Sequence, residues 1–257
     1  MSDLFSIAGK TALITGGTAG IGQAVAAHFV KQGAKVVISG RRKNGAEIAA
    51  DMGAKFVQAD MANLDATKRM IEAAHELLGK LDVLVLNAGV GPLPKTIEGL
   101  SPQEMRELFS VNFDAVYAGV HHSIPYLNEG ASIIITSSAA GITTAPTYGA
   151  YSPAKAACVM LARSAATELG GRFRVNCILP GPFATEMMTP DDHEYLLAKT
   201  LSPIGRLRTP QEIVGAYQFL ASQASACTTG TYIACDDGLS SGTSMNVMQV
   251  IMKAAAQ

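Results

Sequence analysis

Three side chains near the middle of the chain have the types and the spacing to move a proton. Ser138 sits in Ser137-Ser138-Ala139-Ala140-Gly141, and a short bridge later comes Tyr151-Ser152-Pro153-Ala154-Lys155. A phenol ordinarily titrates near pH ~10, and an ammonium beside it favours the phenolate. A tyrosine with a lysine for a neighbour is therefore a general acid/base pair in waiting. Tyr151 and Lys155 stand at i and i+4, so they share one face if the stretch is helical. Pro153 is tolerated only in the first turn of a helix, which puts Tyr151 in that turn or just before it. The same residues also read as a packed tyrosine and a solvated lysine, so the pair needs support from the rest of the chain.

The elements around these residues give that support. Ser132-Ile133-Ile134-Ile135-Thr136 reads as a buried parallel strand whose polar end delivers Ser138, and an alanine-rich helix is expected over residues 154–169. In an open α/β sheet, chemistry sits beyond the carboxyl ends of the strands. The chain opens in the same way. A short apolar run, residues 11–15, leads at once into Gly16-Gly17-Thr18-Ala19-Gly20-Ile21-Gly22 and then a helix to about Lys31. Strand, glycine turn and helix together make a phosphate cradle, because bare backbone approaches the anion at a helix N-terminus.

The second strand, residues 35–39, ends in Gly40-Arg41-Arg42 with no carboxylate. An acidic residue there would bind the ribose hydroxyls of NAD, whereas arginine accommodates the 2′-phosphate of NADP. NADP(H) is the expectation, NAD the weaker one, and two solvated arginines the plain alternative. Asp60, after a strand over residues 55–59, either reaches the adenine amino group or caps a turn. A fourth strand, residues 81–86, ends in Asn87-Ala88-Gly89, where Asn87 is expected to tie strands together through its amide. A long helix is expected from Pro102 to about Asn128, with Asn112 in its middle. Asparagine is a poor residue for that place, and it either binds near the active site or faces solvent. Strands over residues 174–179 and 231–234 bring the count to seven, with a helix over 210–220 between them.

The chain has 257 residues, 48% of them hydrophobic and 16% charged, which suits one α/β domain with a large core. A net charge of -1 argues against a nucleic-acid or polybasic membrane surface. With no signal-like N-terminus and no long apolar run, a cytoplasmic location is the default. Cys158, Cys177, Cys227 and Cys235 lack metal-ligand spacing and are expected to be reduced, buried thiols; the histidines are scattered, and no metal is expected. The irregular stretch of residues 183–207 reads as a substrate loop. The tail, residues 240–257, has Val247, Met248, Ile251 and Met252 at the spacing of a short amphipathic helix.

Taken in one order, Thr15-Gly-x-x-x-Gly-Ile-Gly22, Asn87-Ala-Gly89, Asn112, Ser138, Tyr151-x-x-x-Lys155 and Pro180-Gly181 resemble the short-chain dehydrogenase/reductase family, over roughly residues 7–240. The resemblance implies a single doubly wound Rossmann domain, α/β, with a parallel sheet of about seven strands and helices on both faces. It implies that Tyr151 is the general acid/base, that Ser138 polarises the substrate carbonyl, that Lys155 assists the tyrosine and binds ribose, and that Asn112 holds a relay water. The cofactor-binding set implied is Gly16, Thr18, Gly20, Ile21, Gly22, Arg41, Arg42, Asp60, Met61, Asn87, Ala88, Gly89, Pro180, Gly181, Phe183 and Thr185, with Tyr151 and Lys155.

The implied activity is NADP(H)-dependent interconversion of a small-molecule ketone and a secondary alcohol, in a homotetramer. Small residues at Ala154, Ala156, Ala157, Ala162, Ala165 and Ala166 would let helices of two subunits approach. Two alternatives stand beside it: an NAD-dependent secondary-alcohol dehydrogenase, and a non-catalytic nucleotide-binding regulatory protein. Leu93, Pro94, Ile142, Pro146, Met187 and Met188 suggest an apolar substrate pocket, with Asp191, Asp192 and His193 on the surface. One departure from the family's pattern stands out. The last strand ordinarily leads into an aspartate and two glycines, but here it reads Cys235-Asp236-Asp237-Gly238, with an extra carboxylate near the place where subunits meet.

Overall fold

The computed structural model describes residues 3–186 and 200–255. Seven strands form one parallel sheet: β1 (Thr11–Thr15), β2 (Lys35–Gly40), β3 (Lys55–Gln58), β4 (Leu81–Leu86), β5 (Leu127–Thr136), β6 (Arg174–Pro180) and β7 (Tyr232–Cys235). Their spatial order is β3-β2-β1-β4-β5-β6-β7, which reverses direction between β1 and β4. This is the doubly wound arrangement, with its crevice at the carboxyl ends of β1 and β4.

Strand side chains alternate between two cores, as a pleated strand requires. Leu13, Val37, Leu84, Ile133 and Ile135 face one core; Ile14, Ile38, Val85 and Ile134 face the other. Helices α3 (Leu64–Leu78), α5 (Ala115–Ser123) and α6 (Tyr151–Leu169) supply the first core, through Met70, Val116 and Cys158 among others. Helix α1 (Gly20–Lys31) and α7 (Val214–Ala221) supply the second, through Phe29 and Tyr217. Helix α2 (Gly45–Met52) closes the β2 side.

Four expectations need correction. The helix expected from Pro102 to Asn128 is not continuous: α4 (Pro102–Phe109) passes through a π turn at Ser110–Asp114 into α5, and a 3₁₀ turn at Ile124–Tyr126 ends it. Asn128 already lies in β5. The helix expected over residues 210–220 is a 3₁₀ turn, Pro210–Glu212, followed by α7. The alanines of α6 are mostly unavailable to a second subunit: Ala154, Ala162, Ala165 and Ala166 are buried in the chain's own core, and Ala156 is the one fully exposed. Cys227 is also exposed, against the expectation of buried thiols throughout.

The tail does form a helix, α8 (Met245–Ala255), which has no buried residue and shows Met245, Val250, Ile251 and Met252 to solvent. Among the described residues, no helix is long and apolar enough to cross a membrane. Met187, Met188, Asp191, Asp192 and His193, and most of the expected substrate loop, lie outside the described residues.

The extra carboxylate at Asp237 has a local explanation. Its φ is +57°, a left-handed conformation that ordinarily selects glycine. Arg208 Nε donates to both Asp237 carboxylate oxygens at 2.8 Å, and its Nη1 donates to Glu212 Oε1 at 2.7 Å. The side chain thus offsets its backbone cost by fixing Arg208 within the same chain.

Candidate active site

The glycine turn between β1 and α1 is built by close approach. Gly16 has φ +66°, and a Cβ there would lie 2.9 Å from Ala88 Cα. A Cβ on Gly22 would stand 2.3 Å from the Gly16 carbonyl oxygen and 2.5 Å from Asn87 Nδ2, far inside contact distance. The buried Thr18 packs on Gly40 in the same way. Helix α1 is capped by Ala19, which has no side-chain bond to offer, and its first turn holds no acidic residue. Its leading N–H groups and its positive end are therefore left for an anion, and they sit on a surface stripped of side chains. This cradle fits the pyrophosphate of a dinucleotide.

A methyl group alone should disturb it. Gly22→Ala is expected to cost about 1–3 kcal/mol of stability and to weaken dinucleotide binding, measured by thermal unfolding and by titration with NADPH.

Asn87 ties β4 to β1, as expected. Its Nδ2 donates to Thr15 O at 3.1 Å, while the amides of Asn87 and Ala88 both donate to Thr15 Oγ1, at 2.9 and 3.0 Å. Thr15, which opens the glycine motif, is thus a hub that joins the end of β4 to the end of β1.

Lys155 lies in the second turn of α6, which begins at Tyr151 with Pro153 in its first turn. The lysine is 4% exposed, its Nζ donates to Thr136 O at 3.3 Å, and it lies 5.7 Å from the centre of the Tyr151 ring. The Tyr151 ring also meets Tyr148 edge to face, with ring centres 5.6 Å apart. Among the described residues the Tyr151 hydroxyl makes no hydrogen bond, so its proton is uncommitted.

Ser138 begins a 3₁₀ turn, Ala139–Gly141, and its Oγ accepts from Ala140 N at 3.1 Å, which leaves the hydroxyl hydrogen to donate elsewhere. Its neighbour Ser137 points inward and donates to Lys155 O at 2.7 Å. A Cβ on Gly141 would lie 2.9 Å from that same carbonyl. The Ser-Ser doublet thus divides its labour: Ser137 and Gly141 lock the turn onto α6, and Ser138 faces outward.

Asn112 is fully buried in the π turn. Its Oδ1 accepts from Val90 N at 3.2 Å and its Nδ2 donates to Val90 O at 3.1 Å, so of the two expectations for it the solvent-facing one fails. A Cβ on Gly89 would stand 2.8 Å from Asn112 Oδ1 and 3.3 Å from Lys155 Nζ, which brings these two groups to one point beside Gly89. The Asn112 carbonyl accepts from the Cys158 thiol at 3.1 Å, and burial pushes that thiol's pKa up despite nearby Lys155, keeping it a neutral donor.

The remaining residues divide. Thr185 Cγ2 would come within 3.2 Å of a Cβ on Gly20, so the segment after β6 lies over the glycine turn. Gly181 presses on Asp236 with no room for a side chain, next to the buried Pro180. Asp60 accepts from Ala62 N at 3.1 Å and so caps a turn, and it lines a cleft with Arg41 and Arg69. Arg69 was not a candidate in the sequence. Met61 and Phe183 put their side chains into the core, which leaves only their backbones for a ligand. Arg41 is exposed and its guanidinium has no partner among the described residues, whereas Arg42 pairs with Glu186.

Comparison with known proteins agrees with this geometry. A family model described as enoyl-(acyl carrier protein) reductase matches residues 16–240. An NADP-dependent (R)-specific alcohol dehydrogenase of Lentilactobacillus kefiri is 36% identical over 90% of this chain and 96% of its own length. A sorbose reductase of Candida albicans is 37% identical over 92% of this chain and 89% of its own. In structure, a doubly substituted short-chain dehydrogenase/reductase of Serratia marcescens superposes with a TM-score of 0.87, at 30% identity, covering 91% of this chain and 99% of that one. By the family match and by these relatives, the chain belongs to the short-chain dehydrogenase/reductase family of oxidoreductases.

Proposed function

We propose that the protein is an NADP(H)-dependent oxidoreductase that interconverts an uncharged ketone and a secondary alcohol. The observation that carries this reading is the Tyr151 hydroxyl, without a hydrogen bond among the described residues, beside the buried Lys155 ammonium. In reduction, Ser138 would donate its free hydroxyl hydrogen to the carbonyl oxygen, and Tyr151 would give its proton to the same oxygen as charge develops there. Lys155, held by Thr136 O, sets a positive charge next to the phenol. Asn112 comes to the same point beside Gly89 and would hold the water that returns a proton to the pair. A bound nicotinamide cofactor supplies the hydride.

The preference for NADP(H) rests on the end of β2, where the strand runs into Gly40-Arg41-Arg42 without an acidic residue of its own and the exposed Arg41 guanidinium has no partner among the described residues. The exposed apolar residues Leu93, Ile97 and Ile142, of which Ile97 packs on Gly149 two residues before Tyr151, support an apolar substrate of modest size. The whole chain would act as a single domain in the cytoplasm, as a homotetramer. The exposed Tyr117, Met160 and apolar face of α8 support the assembly, in place of the buried alanines.

Titration of the purified protein with NADPH and NADH, followed by a ketone screen, tests the reading. Tighter NADPH binding and turnover of neutral ketones are expected; turnover confined to acidic or phosphorylated substrates would overturn the substrate class. Arg41→Ala is expected to weaken NADPH binding about tenfold, the scale of a charge-assisted contact, and to leave NADH binding nearly unchanged. Equal losses for both cofactors would remove Arg41 from phosphate recognition. The reading of the chain as an NAD-linked dehydrogenase draws on one observation, the engagement of Arg42 by Glu186.

A further inference from the structure

We infer that Glu186 is a cofactor-specificity residue: its carboxylate stands in for the 2′-phosphate on Arg42 and so moderates the preference for NADP(H) over NAD(H). The inference rests on the proposed use of NADP(H).

Arg42 follows β2, where the adenosine end of a dinucleotide is discriminated. Its guanidinium pairs with Glu186, which lies on the segment after β6, far away in the chain. That segment is the one whose Thr185 reaches over Gly20 of the phosphate cradle. The carboxylate is thus held where the two halves of the dinucleotide site come together. Both side chains are substantially exposed, at 41% and 64%, so the pair is weak and open to a competing anion. The guanidinium of Arg41, next to it, has no partner among the described residues.

A phosphate monoester near neutral pH carries close to two negative charges and three acceptor oxygens, and it outbids one carboxylate for a guanidinium. NADP(H) must still displace Glu186 from Arg42 and then tolerate its charge nearby. NAD(H) has a neutral ribose hydroxyl there and meets neither cost. Glu186 therefore weakens one cofactor and spares the other. It also follows that Arg42 contributes less to NADPH affinity than Arg41 does, although the two are adjacent in sequence.

The test is equilibrium titration of the full chain with NADPH and with NADH, read by fluorescence, for wild type, Glu186→Gln, Arg42→Ala and the double variant. Glu186→Gln keeps the side chain's size and removes its charge. It is expected to tighten NADPH about three- to fivefold, the range of an exposed ion pair, and to leave NADH unchanged. In the Arg42→Ala background the same substitution is expected to gain much less, because the two effects share one contact.

Equal effects on both cofactors would make Glu186 a shaper of the loop and overturn the inference. So would an unchanged NADPH affinity in Glu186→Gln alongside wild-type protein that binds NADPH. Wild-type protein that binds neither cofactor would instead overturn the proposed use of NADP(H), and the inference with it.

Discussion

Tyr151→Phe is expected to lower kcat by about 10²–10⁴-fold, the usual contribution of a positioned general acid, while NADPH affinity and thermal stability stay close to wild type. The substitution removes one oxygen and keeps the ring. The ring is what packs edge-on against Tyr148 and lies 5.7 Å from Lys155 Nζ, so the contacts visible around it survive. The hydroxyl, by contrast, spends nothing on the fold, having no hydrogen bond among the described residues. Steady-state kinetics on a neutral ketone, with an NADPH titration alongside, separate the two roles. If the variant keeps its turnover, the proton must come from another group, and the reading of the site as a tyrosine-driven reductase fails.

The framework of this site was legible because it depends on local rules that are strict. Glycines at residues 16, 20 and 22 between an apolar run and a helix admit few structures, and a proline two residues after Tyr151 fixes where α6 begins. The strands were found to within a residue or two for most of the sheet because buried parallel strands read as plain apolar runs. Only β5 was begun late, since its first residues, Leu127 to Gly130, are mixed in polarity and partly exposed.

What the sequence concealed lies mostly in contacts between distant residues. Nothing local marks Thr15 as the acceptor of two amides from the end of β4, or Ser137 as the pin on Lys155. Arg42 and Glu186 meet only because the sheet carries β2 and β6 to the same end. Asp237 looked like a change at a subunit contact, yet its positive φ and its two bonds to Arg208 are internal to the chain. The alanines of α6 were counted by their small size, whereas the face each one occupies depends on the helix's rotation against the sheet, and most of them turn inward.

The break in the helix at Asn112 concerns both the fold and the chemistry, and Asn112→Ala is expected to damage both. The π turn gives up regular helical bonding over Ser110–Asp114, and such turns recur at functional sites. Here it buries an asparagine side chain that clamps both backbone polar groups of Val90, while the Asn112 carbonyl takes the Cys158 thiol. Alanine would leave the Val90 N–H and C=O unpaired in a part-buried place and open a small void. The expected cost is about 2–4 kcal/mol, or a fall in Tm of roughly 5–10 °C for a chain of this size.

A purely structural asparagine would stop there: once corrected for the folded fraction, kcat would match wild type. The meeting of Asn112 Oδ1 and Lys155 Nζ at the edge of Gly89 argues for more. At temperatures where the variant is fully folded, kcat is expected to fall at least about tenfold, within the range of a lost proton-transfer contribution, with KM for NADPH little changed. Thermal unfolding and kinetics measured on the same preparation distinguish the two outcomes. An unaltered kcat in folded protein would reduce Asn112 to a clamp on the loop after β4.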